Sequence, residues 1–258
     1  MENSKKVVLI TGGSGLLGSS LARYLADQKF HPVILDLTKQ EATKNIDFIS
    51  CDIVDRNSVK KAFIEVQSKY KIISGIVHCA AINPKVNSDE NKLVSFFEDT
   101  FETFNFEIDV SIKGCLNVLQ EFIPLMQNAH SKSEGSIVLV GSDLSVIAPD
   151  QRIYIDKKGN QTFFKPVSYS IIKHAMLGLT KYLSTYFASQ GIRVNCISPG
   201  PILENQPDYL IQNLINRIPM GKLAHTKDIV GAIQFLLDDT SSYITGQNIV
   251  VDGGRTTW

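Results

Sequence analysis

Signals for export, membrane insertion and nucleic-acid binding are scarce in this 258-residue chain. Lysine plus arginine and aspartate plus glutamate both number 26, so the formal net charge is zero. A chain without a net field has nothing to draw a polyanion to it, which argues against nucleic-acid partners. The apolar run Val7–Ile10 stops at Thr11-Gly12-Gly13, too early for the core of a signal peptide. No stretch approaches the roughly 18 apolar residues that span a bilayer. The four cysteines, at 51, 79, 115 and 196, form no Cys-x-x-Cys pair and lack zinc-ligand spacing, so no metal site is expected. Three lie in or beside apolar runs, as small buried hydrophobes do in a reducing compartment. Internal repeats and low-complexity tracts are absent too. These absences leave a soluble, cytoplasmic protein with a small-molecule partner.

What is present is alternation. Short β-branched runs at 6–10, 32–35, 47–51, 75–79, 136–140, 193–197 and 248–251 read as strands buried on both faces. Between them, helical period appears at 16–28, 57–70, 104–127, 167–190, 207–217 and 227–237. This spacing predicts an α/β fold: a doubly wound parallel sheet of seven strands in three layers, one domain over 1–258. The helix around Leu183 and Tyr186 is apolar around most of its circumference, so it should be buried on several sides or form a subunit interface. Two stretches lack period, 84–98 and 149–166. A loop as long as the second is usually functional.

The first strand runs into Thr11-Gly12-Gly13-Ser14-Gly15-Leu16-Leu17-Gly18, and a helix follows. Glycines let the backbone turn tightly and approach a pyrophosphate. The helix N-terminus then offers free N–H groups and positive dipole to the phosphates. The second strand ends at Asp36, eighteen residues after Gly18. A carboxylate there bonds both ribose hydroxyls and repels a 2′-phosphate. NAD is therefore the expected cofactor, with NADP kept open by nearby Lys39.

Tyr169 and Lys173 stand four apart at the start of a helix and share one face. A free phenol is a poor base at neutral pH, and a neighbouring ammonium favours its ionised form. The pair can move a proton while a nicotinamide moves a hydride. Ser142 follows the fifth strand and so falls at its carboxyl end, where ligands bind in open α/β sheets. Its hydroxyl can orient a substrate oxygen.

At these residues the chain resembles the short-chain dehydrogenase/reductase family, in its compact branch. The resemblance covers nearly the whole sequence, through TGGSGLLG at 11–18, CDI at 51–53, HCAAIN at 78–83, GSIVLVGS at 135–142, YSIIK at 169–173, IRVNCISPGPI at 192–202 and YITGQNIVVDGG at 243–254. It implies sheet order 3-2-1-4-5-6-7, Tyr169 as general acid/base, Lys173 as ribose anchor and Ser142 as substrate orienter. It implies adenine contacts at Asp52 and Ile53, cofactor contacts at Ala80 and Ala81, and Asn195, Pro199, Gly200 and Ile202 along the nicotinamide. It further implies a homodimer or homotetramer. Four departures stand out. The glycine spacing is that of the extended branch, and His78-Cys79-Ala80-Ala81 replaces the usual Asn-Asn-Ala-Gly. Ser111 falls where an active-site asparagine is usual. Ser142 and Tyr169 are 27 residues apart, an unusually long gap filled by the 149–166 insert. That insert and the C-terminal GGRTTW resemble bacterial dehydrogenases of flagellin-modification and nonulosonic-acid pathways. Gln151, Arg152, Tyr154, Gln161, Phe163 and Phe164 of the insert suit a sugar ring, and Glu204, Asn205 and Gln206 are candidate substrate contacts. The expected reaction interconverts a secondary alcohol and a ketone. The alternatives are a 3-oxoacyl carrier-protein reductase and a non-catalytic dinucleotide-sensing protein.

Overall fold

Alternate side chains of a buried strand leave opposite faces of the sheet, so each strand feeds two cores. In the computed structural model, which describes residues 5–39, 43–83, 86, 94–98, 101–129 and 135–258, Leu9, Ile76, Ile137 and Val194 point into one core and Val8, Ile10, Val77 and Val138 into the other. The strands are β1 (Lys6–Thr11), β2 (Phe30–Asp36), β3 (Asp47–Ser50), β4 (Gly75–His78), β5 (Gly135–Val140), β6 (Ile192–Pro199) and β7 (Asn248–Val251). They pair in parallel in the order β3-β2-β1-β4-β5-β6-β7. This is the order the resemblance implies. The helices are α1 (Leu16–Ala26), α2 (Arg56–Lys69), α3 (Phe101–Ile108), α4 (Gly114–Ala129), α5 (Val167–Phe187), α6 (Asp208–Ile215) and α7 (Thr226–Leu237). Helices α2, α4 and α5 cover the first face, and α1 and α7 cover the second. Full burial of a side chain such as Leu9, Ile76 or Phe122 contributes about 1.5–3 kcal/mol each.

Three local outcomes differ from the sequence pattern. The segment 104–127 is two helices, α3 and α4, joined by a π-helical turn at Asp109–Lys113. Gly114 follows that turn where a Cβ would meet Ile53 at 2.8 Å. Helix α5 buries one face through Ile172, Met176 and Leu183, while Tyr182 and Tyr186 stay 63% and 59% exposed. The 149–166 insert is ordered rather than open. It has a 3-10 turn at Gln151–Tyr154 and an antiparallel bridge between Ile155 and Gln161. Ile153, Tyr154 and Phe163 pack with Leu210, Leu214 and Ile218 around α6 in a third, smaller core. Of the aperiodic stretch 84–98, residues 84–85 and 87–93 lie outside the described residues. No helix among the described residues is long and apolar enough to cross a membrane.

Candidate active site

Because all seven strands are parallel, their carboxyl ends share one edge, and the strand order reverses between β1 and β4. A cleft of about 510 Å³ opens at that edge. The glycine turn forms one wall. Gly12 has φ +63°, and a Cβ there would meet the backbone of Ala80 at 2.6 Å. A Cβ on Gly18 would meet the Gly12 carbonyl at 2.3 Å. Any larger residue would push α1 off the strand. Gly15 caps α1 with no side-chain bond, and no acidic residue stands in the first turn, so backbone N–H groups face the cleft. This cradle fits a pyrophosphate.

The sequence candidates distribute unevenly. Gly12, Gly15, Leu16, Leu17 and Gly18 line the cleft, as do Ala81, Pro199, Gly200 and Ile202. Ser14 and Asp36 flank it. Asp36 accepts hydrogen bonds from the backbone N–H groups of Ser14 (3.0 Å) and Thr38 (3.1 Å), which fix the carboxylate at the end of β2. Ala80 supports the glycine turn from behind. Asp52 and Ile53 are not cleft-lining. The Asp52 carboxylate accepts from Val54 N–H at 2.9 Å, and Ile53 is 7% exposed and packed into the core. Asn195 is structural: its amide donates to the Ile244 carbonyl at 2.8 Å and accepts from Gln247 N–H at 3.0 Å.

Ser142, Tyr169 and Lys173 converge on the cleft. Ser142 begins a 3-10 turn at Asp143–Ser145. Its N–H donates to Ser145 Oγ at 2.9 Å, and Leu144 N–H donates to its Oγ at 3.1 Å. The hydroxyl is thereby held in place near the Tyr169 phenol, donating to Asp143 Oδ1 at 2.9 Å. Pro166, extended, launches α5 so that Tyr169 falls in the first turn and Lys173 one turn later. Lys173 Nζ donates to the Val140 carbonyl at 3.1 Å and lies 5.7 Å from the Tyr169 ring centre. Burial pushes the phenol up to about 12, against the opposing influence of the nearby Ser142 hydroxyl. Burial likewise holds Lys173 down to about 8. Both groups are thus mostly protonated at neutral pH in the free chain, the phenol neutral and the amine charged.

Sequence reading missed two features. Asp143 and Arg255, 112 positions apart, form a buried ion pair with side chains each 5% exposed, beside Ser142. His78 Nδ1 bonds Thr11 Oγ1 at 2.8 Å where β1 and β4 end together. Burial holds that imidazole down to about 4, so it is neutral. Ser111 is buried on the π turn, which packs on α5. From the insert, Tyr154 and Phe163 reach the cleft, while Gln151, Arg152 and Gln161 make bonds within their own segment. Glu204, Asn205 and Gln206 also line it, although Gln206 is engaged with Ile202 and Glu204 backbone.

A dinucleotide cradle joined to a serine, a tyrosine and a lysine defines an NAD(P)-dependent oxidoreductase. Comparison with known proteins agrees. A family model described as enoyl-(acyl carrier protein) reductase matches residues 16–256. The 3-oxoacyl-[acyl-carrier-protein] reductase of Thermotoga maritima is 28% identical, covering 98% of this chain and 99% of its own. The post-translational flagellin modification protein A of Campylobacter coli is 26% identical, over 98% of both chains. A short-chain dehydrogenase from Leptospira borgpetersenii, solved with bound NAD+, superposes with a TM-score of 0.86 at 34% identity, over 98% of this chain and 93% of that one. The chain belongs to the short-chain dehydrogenase/reductase family.

Proposed function

We propose that residues 1–258 form one dinucleotide-binding unit that uses NAD to interconvert a secondary alcohol and a ketone on a hydroxylated, sugar-like substrate. The observation that carries this reading is the meeting of Ser142, Tyr169 and Lys173 in the cleft that begins at the glycine turn. Ser142 holds the substrate oxygen, and Tyr169 exchanges a proton with it. Lys173, braced by the Val140 carbonyl, presents its charge to the phenol and to a ribose. When bound, the nicotinamide supplies or accepts the hydride. The α1 N-terminus would hold the pyrophosphate, and Asp36 the adenosine ribose. The aromatic wall of Tyr154 and Phe163, with Asn83 and Asn205 in the same cleft, supports a hydroxylated ring as substrate. So does the similarity to a flagellin modification protein. A 3-oxoacyl carrier-protein reductase is the second reading, supported by similarity of the same breadth. Four free cysteines suit the cytoplasm. Exposed Ile171, Tyr182 and Tyr186 on α5 support pairing with a second copy, as dimer or tetramer.

A thermal-shift screen of NAD, NADP, sugars and 3-oxoacyl thioesters tests the reading, since a ligand of the folded state raises the midpoint by mass action. NAD and a polyol or sugar are expected to stabilise; stabilisation by a thioester with NADPH would favour the second reading. Asp36→Ser is expected to weaken NAD roughly 10- to 100-fold, the worth of charge-assisted bonds to ribose hydroxyls, and to narrow the gap to NADP. Fluorescence titration of both cofactors measures this. An unchanged NAD affinity would remove Asp36 from the site.

A further inference from the structure

The insert delivers a second ammonium to the reacting centre. Lys165 Nζ lies 3.7 Å from the centre of the Tyr169 ring, nearer than Lys173 at 5.7 Å. The ammonium sits over the face of the ring that carries the reacting hydroxyl. Its backbone is clamped on both sides by one side chain. Gln151 Oε1 accepts from Lys165 N–H at 2.9 Å, and Gln151 Nε2 donates to the Lys165 carbonyl at 3.0 Å. Gln161 in turn donates to the carbonyls of Gln151 and Phe163. The insert thus spends its two glutamines on holding one lysine, and Pro166 after it stiffens the chain.

The Lys165 amine is hydrogen-bonded to no carboxylate among the described residues, although the buried Glu107 and Asp143 act on it from a distance. Among the described residues its side-chain partners are the Asn83 amide oxygen, at 2.8 Å, and the Tyr169 ring. The nearby Asp143 carboxylate is engaged by Arg255. An ammonium carries three donors, so the Asn83 bond leaves others to offer to a ligand in the cleft. Burial and the Lys173 ammonium hold the Lys165 amine down to about 7, against the opposing influence of Glu107 and Asp143. Keeping that charge in the cleft is costly unless an oxyanion joins it.

We propose that Lys165 is a specificity-determining anion receptor, selecting substrates that carry a carboxylate or phosphate close to the carbon that reacts at Tyr169. Gln151 is its positioning residue. The inference rests on the oxidoreductase reading above and narrows its substrate class from hydroxylated to hydroxylated and anionic. Neutral alcohols would leave the remaining donors of this amine without an anionic partner and bind poorly.

The test compares matched compounds: D-glucose against D-glucuronate and glucose 6-phosphate, and 2-butanol against 3-hydroxybutyrate. Turnover with NAD, and thermal stabilisation of the NADH-loaded protein, are measured for wild type, Lys165→Met, Lys165→Arg and Gln151→Ala. We expect the anionic members to be preferred, with the carboxylate and phosphate arms telling which oxyanion fits. In Lys165→Met that preference should fall roughly 10- to 100-fold, chiefly through KM and Kd, the worth of a charge-assisted hydrogen bond. Lys165→Arg should keep part of it, Gln151→Ala should lose part of it, and NAD affinity should not change. Equal loss on neutral and anionic members, or a panel in which no anion is favoured in turnover or binding, would overturn the proposal. If turnover occurs without anion preference and vanishes in Tyr169→Phe, the oxidoreductase reading survives and this one fails. If anions bind through Lys165 and nothing is turned over, the reverse holds.

Discussion

Tyr169→Phe is expected to lower kcat for any accepted alcohol by about 10²- to 10⁴-fold, the usual worth of a positioned acid or base. The substitution removes one hydroxyl, leaving the ring for Lys165 and the helix start at Pro166 intact. NAD binding should therefore persist, and stability should change little. The pH dependence gives a second readout. Burial holds the phenol up to about 12 in the free chain, so its protonated form dominates at neutral pH. A protonated phenol is the correct partner for ketone reduction, and alcohol oxidation needs the phenolate. Oxidation by wild type should thus rise with pH through the alkaline range, and the residual rate of Tyr169→Phe should lose that slope. Following NADH absorbance across pH checks both. A Phe variant with wild-type rates would dismiss Tyr169 as the proton-transfer group, and a dead variant that also loses NAD would point to misfolding instead.

Arg255→Met should be the most destabilising single substitution near the cleft. It leaves the Asp143 carboxylate buried and without its guanidinium. Breaking a buried pair from one side typically costs about 3–5 kcal/mol. For a chain of this size that is a fall of about 6–20 °C in melting temperature. Asp143→Asn should cost less, because an amide still accepts a hydrogen bond from arginine. The double variant Asp143→Leu/Arg255→Met should recover part of the loss, since no charge is left stranded. Calorimetry on wild type, Arg255→Met, Asp143→Leu and the double variant decides, with Asp143→Asn as a fifth protein. Strictly additive effects under about 1 kcal/mol would show the pair to be solvated rather than buried. Activity should fall with stability here, because Asp143 also accepts a bond from Ser142 Oγ at 2.9 Å.

Much of this molecule is written locally. Apolar runs of four to seven residues between glycines and polar turns encode strands buried on both faces, and their alternation with helical period encodes the layered sheet. The glycine turn, the acidic end of β2 and the Tyr169–Lys173 spacing are equally local, since each depends on backbone geometry within a turn or two. The residues that the structure adds carry no such mark. Asp143 and Arg255 meet only because β5 and the segment after β7 end at the same edge of the sheet. Thr11 and His78 meet only because β1 pairs with β4. Ile53 has the motif position of a ligand contact, and its side chain packs into the core beside Gly114 at the start of α4. The insert shows the division most plainly. Its polar residues looked alike as ligand contacts, but folding turns the glutamines inward as braces and sends Lys165 to the phenol. Periodicity records which way a residue faces within its own element. Which element lies opposite, and how much water remains between them, is settled only when the layers close, and in this cleft desolvation then decides which groups carry charge.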